Sequence, residues 1–267
     1  MAGGKGNPDA PVRSEATIAK YCDWLDTGEG NRVLDIGCGD GAVVRVLSRR
    51  GLRAMGVDLK PWDWLKGFRH ALGDGYRLPF HNESFDAVGS LAVLEHLERP
   101  EAFLTEMVRV VKVGGRLVVA APNMYACFLV NPGDSVTHTG GIPRYAKNLV
   151  LHLRKQSESI RTPDQVSFDS LEPDMTSVPP ESTDYGAVCA TDPAVVRAVL
   201  KRSGVTIKHQ SPSLEYPESR LAVSVSKAVE SFPVVRDLFG GIFIVGEKVR
   251  TSPPAASGAP FSSVTER

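Results

Sequence analysis

No sign of charge dominates this chain, because thirty-one Lys and Arg offset thirty-one Asp and Glu across 267 residues. The basic surplus of a dedicated nucleic-acid binder is missing, so nucleic acid is not expected as the main partner. Long apolar runs are also missing, and none approaches the ~20 residues of a membrane-spanning helix. Met1–Glu15 lacks the apolar centre of a secretory signal, and Ala2 breaks the myristoylation pattern. Cysteine is sparse: Cys22, Cys38, Cys127 and Cys189 are scattered with no close pair. That spacing excludes a disulfide framework and a zinc site, and it makes a reducing cytoplasm the expected compartment. The sequence has no internal repeat.

What is present suits one substantial core. Hydrophobic residues make up 42% and charged residues 23% of the chain, ordinary values for a globular protein. Residues 1–13 and 251–267 are rich in Gly, Pro, Ala and small polar types and are expected to be disordered. Between them, strand and helix patterns alternate as in an α/β fold. Strands are predicted at Arg32–Gly37, Arg53–Leu59, His70–Asp74, Phe85–Leu91, Arg116–Ala121, Val205–His209 and Gly241–Val249. Helices are predicted at Gly41–Arg50, Glu101–Lys112, Pro143–Lys155, from Asp192-Pro193 to Gly204, and at Glu218–Ser231. Gln156–Ala190 holds four prolines and seven acidic residues against one arginine, which reads as a mobile lid or a disordered insertion.

The strongest local signal is Val33-Leu34-Asp35-Ile36-Gly37-Cys38-Gly39-Asp40-Gly41. A strand enters a turn with three alternating glycines, which permit positive φ and close approach of a ligand to the backbone. Two ligands suit such a turn. Gly37-x-Gly39-x-x-Ala42 satisfies the relaxed dinucleotide fingerprint of an NAD-dependent oxidoreductase. S-adenosylmethionine is the other: Asp35 would attract its ammonium group, whereas a carboxylate beside a pyrophosphate gains nothing.

This segment resembles motif I of the class I S-adenosylmethionine-dependent methyltransferases of the type 11 kind, and further blocks follow in that family's order. Gly56-Val57-Asp58-Leu59 resembles the second motif. Gly73-Asp74-Gly75-Tyr76-Arg77-Leu78-Pro79-Phe80, then Ser84-Phe85-Asp86-Ala87-Val88, resembles the third. Val93-Leu94-Glu95-His96-Leu97 and Val113-Gly114-Gly115-Arg116-Leu117 continue the match, which is strong over residues 31–122.

The resemblance implies a Rossmann-like doubly wound sheet of seven strands in order 3-2-1-4-5-7-6, with the last strand antiparallel. The cofactor half would span 31–122, a lid or substrate insertion 123–190 and a substrate half 191–250, all within one domain at 14–250. It also implies S-adenosylmethionine as cofactor, held by Asp35, Gly37, Cys38, Gly39, Asp58, Leu59, Asp74, Gly75, Ser90 and Leu91. In the family, Asp58 would take the ribose hydroxyls and Asp74 the adenine amino group.

Methyl transfer is an in-line displacement that needs alignment and, for many acceptors, removal of a proton. The candidate bases follow strands four and five, at the carboxyl ends where such sheets bind ligands. They are His96, and His138 with Asp134 in a polar loop; Tyr145 is a weaker candidate. The alternative for His96 is a structural or helix-capping role, and for His138 a satisfied loop histidine. Trp62 and Trp64 could stack on an adenine or simply pack a short helix, and Tyr21 and Trp24 could cap the pocket or cover the sheet. Arg144, Lys147, Arg154 and Lys155 make one helix basic, as an anion-binding or a solvated face. Ser90-Leu91-Ala92-Val93 departs from the N/D-P-P-Y/F block that adenine-amino and glutamine methyltransferases carry. The expected acceptor is a small molecule, methylated on oxygen: a sugar, a lipid-linked glycan or a natural-product hydroxyl. An NAD-dependent oxidoreductase and a catalytically inactive S-adenosylmethionine-binding domain are the alternatives.

Overall fold

The structure, a computed structural model, describes residues 15–60, 69–126, 141–172, 186–212, 236–238 and 240–250, with backbone alone for 141–145. The predicted helix at 218–231 and both termini lie outside these residues.

Strands β1 (Arg32–Ile36), β2 (Arg53–Asp58), β3 (His70–Leu72), β4 (Phe85–Leu91) and β5 (Val111–Pro122) pair in parallel in the order β3-β2-β1-β4-β5. Near the C-terminus, β8 (Val205–Ser211) and β9 (Gly241–Lys248) complete seven strands as β5-β9-β8. β9 runs antiparallel to both of its neighbours. This is the doubly wound order expected from the resemblance.

Residues alternate between the two faces of each strand, so a sheet covered on both sides buries nearly every side chain. One face, with Val33, Ala87, Leu91, Val118 and Phe243, packs on α1 (Glu15–Leu25) and α2 (Ala42–Arg49). The other, with Leu34, Ile36, Val88, Leu117 and Ile244, packs on α3 (Pro100–Val110) and α5 (Pro193–Arg202). Asp192 opens α5 as the sequence predicts: its carboxylate accepts the Ala194 and Val195 amides, and Pro193 fills the first helical position.

Two elements differ from the sequence reading. The third helix was predicted to run to Lys112 and stop at Gly114-Gly115. It ends at Val110, and the chain enters β5 directly, with Val111 opposite Phe85 and a register shift before Arg116 opposite Ala87. Gly114, at φ +77°, absorbs that irregularity, while Lys112 leaves the helix to reach Asp86 at 2.6 Å. The fourth helix, α4, spans Gly141–Arg161 and continues six residues past the predicted Lys155. Beyond it, a short antiparallel ladder joins β6 (Asp169–Ser170) to β7 (Cys189–Ala190).

Several residues of the matched motifs prove to be structural. Asp86, at the amino end of β4, accepts the Arg32 amide at 2.9 Å as well as the Lys112 ammonium. Burial would raise its carboxyl, but these two donors outweigh that and hold it below the ordinary carboxylate range. The Leu78-Pro79-Phe80 block is clamped to α3: Arg109 donates to the Leu78 and Phe80 carbonyls, and Glu106 accepts the Leu78 amide. The Arg109 guanidinium, 2.7 Å away, also keeps Glu106 ionised by lowering its carboxyl.

Candidate active site

The carboxyl ends of β3, β2, β1 and β4 bring the glycine turn, Asp58, the Gly73–Gly75 segment and Ser90 into one arc. The turn is built from backbone. Gly37 and Cys38 both donate to the Val57 carbonyl, and Gly41 donates to that of Cys38. Gly37, Gly39 and Gly41 lie at φ +72°, +49° and +72°, where a side chain is strained. A Cβ on Gly37 would sit 2.2 Å from Val93 Cγ2, whereas one on Gly39 meets no protein atom within 4 Å. Gly37 is therefore a packing glycine, and Gly39 borders open space.

Asp58 fastens the turn to the next strand. Its carboxylate accepts the Gly39 amide at 2.9 Å and the Lys60 amide at 3.0 Å. Beside it, Leu59 is 73% and Leu72 57% exposed, an apolar lip such as a purine ring would cover. Gly73 donates to the Asp58 carbonyl, and Gly75 gives way to Phe103, whose ring would lie 2.7 Å from an added Cβ. Asp74 is exposed; its carboxylate accepts the Tyr76 amide, an Asx-type turn that holds the segment.

Asp35 is 3% exposed and lies on the α1 face of the sheet, where Tyr21 donates its hydroxyl at 3.3 Å. Tyr21 thus lies beneath the turn rather than over a pocket, and Gly89 makes room for its hydroxyl. Trp24 stacks on His209 at 4.7 Å, along the β8 edge of the sheet. The Cys38 side chain is core: it fills the space that Gly56 leaves, and burial, with Asp35 and Asp58 nearby, pushes its thiol up. Only its main chain belongs to the turn. Leu91 is likewise packed in the core on the α1 and α2 side. Ser90 points to the opposite face, 1% exposed, and its Oγ has no hydrogen-bond partner among the described residues. Such an orphan hydroxyl is costly unless a ligand completes it.

After β4 the chain makes a strained turn, with Ala92 at φ +52° and its amide on the Ala120 carbonyl. A single 3-10 turn at Leu94–His96 follows. His96 Nδ1 lies 2.9 Å from the Gly186 carbonyl. A carbonyl only accepts, so Nδ1 carries a hydrogen, and the other ring nitrogen, Nε2, lies 3.7 Å from a carboxylate oxygen of the buried Glu95. The Glu95 carbonyl accepts the Val188 amide, and Thr191 binds the Pro122 carbonyl at the end of β5. Residues 186–191 therefore run from His96 to the end of β5 and wall the side opposite the glycine turn. Tyr125 stands there too, donating to Asp169 at 2.5 Å. Burial first, and this bond second, push its phenol up, so it remains a donor. Lys155 holds the other Asp169 oxygen at 2.6 Å.

Sequence reasoning missed this wall, because its partners lie far apart in the chain and Tyr125 carries no motif. His138, Asp134, Trp62, Trp64 and the Tyr145 side chain lie outside the described residues. Among those described, no helix is long and apolar enough to cross a membrane.

A pyrophosphate suits the glycine turn poorly. The amino end of α2 already receives a carboxylate, since Asp40 accepts the Ala42 amide at 3.0 Å, and Asp35 and Asp58 flank the turn. S-adenosylmethionine suits it better. It carries ribose hydroxyls that could donate to a carboxylate at the end of β2 and a purine that an apolar lip would cover, and a Cβ on Gly39 meets no protein atom within 4 Å.

Residues 34–119 match the family model described as methyltransferase domain. The chain is 34% identical over 117 residues to the ubiquinone biosynthesis O-methyltransferase of Dechloromonas aromatica, which covers 38% of this chain and 50% of that relative. It is 28% identical over 187 residues to the protein of the same name from Maricaulis maris, with 60% and 74% covered. The chain thus spans half the length of the first of these relatives and about three quarters of the second. An S-adenosylmethionine-dependent methyltransferase from Mesorhizobium loti shares the fold, with a TM-score of 0.58 and 17% identity over 87% of this chain and 98% of that one. Motif order, sheet topology and family match agree: this chain carries a class I S-adenosylmethionine-dependent methyltransferase domain.

Proposed function

We propose that the chain methylates a phenolic hydroxyl of a small natural-product-like acceptor, with S-adenosylmethionine as methyl donor and His96 as general base. The observation that carries the acceptor side is the Nδ1 contact of His96 with the Gly186 carbonyl, which fixes the ring so that Nε2 would be the proton-accepting atom, with the Glu95 carboxylate 3.7 Å away to favour the imidazolium that results.

When bound, S-adenosylmethionine supplies an electrophilic methyl group on a sulfonium centre. Gly37, Gly39 and the Cys38 main chain would cradle its methionine end, with Asp35 behind them. Asp58 would hold the ribose, Leu59, Asp74 and Gly75 the adenine, and Ser90 a polar atom of the cofactor. His96 would take the acceptor proton as the oxygen attacks, and the 186–191 wall would keep the acceptor in line and water out.

A phenol is favoured over a sugar or glycan hydroxyl on acidity. A phenol, of pKa ~10, gives up its proton far more readily to a base at neutral pH. An alkyl alcohol near the ~15.7 of water is harder to deprotonate than a phenol by about six units. The two named relatives act, by their names, as O-methyltransferases of ubiquinone biosynthesis, which supports oxygen as the acceptor atom. An NAD-dependent oxidoreductase is disfavoured by Asp40 at the α2 terminus.

The test is calorimetric titration with S-adenosylmethionine, S-adenosylhomocysteine and NAD, followed by turnover with catechols and with free sugars. Saturable binding of the first two and methylation of a catechol support the reading; binding of NAD alone overturns it. His96→Ala is expected to leave S-adenosylhomocysteine affinity within twofold and to cut catechol turnover about 100-fold. Full turnover would remove His96 from the mechanism. Ser90→Ala deletes a hydroxyl that the fold leaves unsatisfied, so the unfolding midpoint should hold or rise. The dissociation constant for S-adenosylhomocysteine should rise about fivefold, one modest hydrogen bond. Unchanged affinity would mean that Ser90 does not touch the cofactor.

A further inference from the structure

Helix α4 carries its polarity inverted. An ordinary surface helix buries its apolar stripe and exposes its polar face. Here the residues turned inward are Asn148, His152 and Lys155, 8%, 0% and 6% exposed. Those turned to solvent are Leu149, Val150, Leu153 and Ile160, 37%, 66%, 45% and 77% exposed. At ~100° per residue these four side chains fall within about 100° of arc. Lys147, Arg154 and Arg161, spaced seven apart and all exposed, line one edge of that arc.

The fold holds the helix in this orientation. His152 meets the buried Asp192 at 2.7 Å, Lys155 meets Asp169 at 2.6 Å, and Gln156 donates to the buried Asp237 at 2.8 Å. Rolling the helix to hide its apolar stripe would break all three contacts and take from the buried Asp192 and Asp237 a hydrogen-bond donor each, although Asp237 keeps Arg197 at 2.6 Å and Arg236 at 3.1 Å. The apolar face is therefore presented outward by polar bonds within.

We propose that this face of α4 seats the protein on the surface of an anionic lipid bilayer. An apolar arc bordered by cations is the pattern that lies in a membrane interface, apolar side chains among the acyl chains and cations among the headgroups. Charge complementarity favours lipid over a second copy, because an antiparallel two-fold pairing would set the Lys147, Arg154 and Arg161 row beside itself and a parallel one offers it no carboxylate row to meet. The one carboxylate beside that row, Glu158, is held by Arg154 at 2.7 Å. At ~1.5 Å per residue the helix is about 30 Å long, and it lies along the surface rather than across it, since Asn148, His152, Lys155 and Gln156 bond its inner face to the rest of the protein.

The proposal is independent of the acceptor assignment. Its test is co-sedimentation of the full chain with vesicles of phosphatidylcholine alone and of phosphatidylcholine with 30% phosphatidylglycerol (roughly the charge density at which basic residues gain measurably). The wild type should sediment with the charged vesicles and not with the neutral ones, and 0.5 M salt should release it, on the order of tenfold in partitioning. Val150→Glu with Leu153→Glu should abolish sedimentation, yet keep the wild-type unfolding midpoint and S-adenosylhomocysteine affinity, because both positions face solvent. Absence of wild-type sedimentation, or equal sedimentation of the double variant, would overturn the proposal. So would light scattering that shows a wild-type dimer which the double variant dissolves. Loss of cofactor binding in both proteins would instead strike the methyltransferase reading and leave the lipid result standing.

Discussion

Gly39→Val should abolish binding of S-adenosylhomocysteine while the protein still folds. The Cβ of a side chain here meets no protein atom within 4 Å, so the new methyls would project into the open space beside the turn. The cost to the fold is local. Holding valine at φ +49° costs about 2 kcal/mol, which lowers the unfolding midpoint by roughly 4–8 °C in a domain of this size. Gly37→Ala behaves in the opposite sense, because its Cβ would sit 2.2 Å from Val93 Cγ2 and the packing of the β4 exit must shift. Two glycines in one turn thus separate a steric block of the ligand from damage to the scaffold. Calorimetric titration beside scanning calorimetry reads both. A Gly39→Val protein that folds and still binds the cofactor would mean that the cofactor lies elsewhere.

The turn was legible because glycines at this spacing, between an apolar strand and an apolar-striped helix, leave few alternatives. The motif blocks were legible as a resemblance, but their physical reasons were not. Nothing local announces that Leu78-Pro79-Phe80 is clamped by Glu106 and Arg109, nor that Asp86 serves the bottom of the sheet rather than the site. The order of the parallel strands follows from handed crossovers, yet the placement of β8 and β9 came through the family. The region after β5 was the least legible. Lys155 was read as part of a basic helix face, but it turns inward because Asp169 and the Ser167 carbonyl take its ammonium. The inverted polarity of α4 rests on Asp192 and Asp237, 40 and 81 residues from their partners His152 and Gln156. Periodicity sees a stripe but not which side of it the rest of the chain will meet. Cys38 and Leu91 show the converse limit: a motif position can be right for the backbone while the side chain belongs to the core.

Asp58→Ala carries the other large effect. In the protein its two carboxylate oxygens accept the Gly39 and Lys60 amides, so the same side chain shapes the glycine turn and, on the proposed reading, would also hold the ribose. Alanine removes both roles. Charge-assisted hydrogen bonds contribute about 1.5–3 kcal/mol each, so the loss of the ribose contacts alone should raise the S-adenosylhomocysteine dissociation constant about 100-fold. Asp58→Asn is expected to recover little. The new amide nitrogen would face either the Gly39 or the Lys60 N–H, donor against donor, and the turn would have to move to relieve it. The unfolding midpoint separates the two roles. It should fall by only a few degrees in either variant, because the amides freed at this half-buried position can turn to water. A variant that binds within twofold of the wild type would leave Asp58 as a brace for the turn, and the ribose would need another acceptor along the β2 edge.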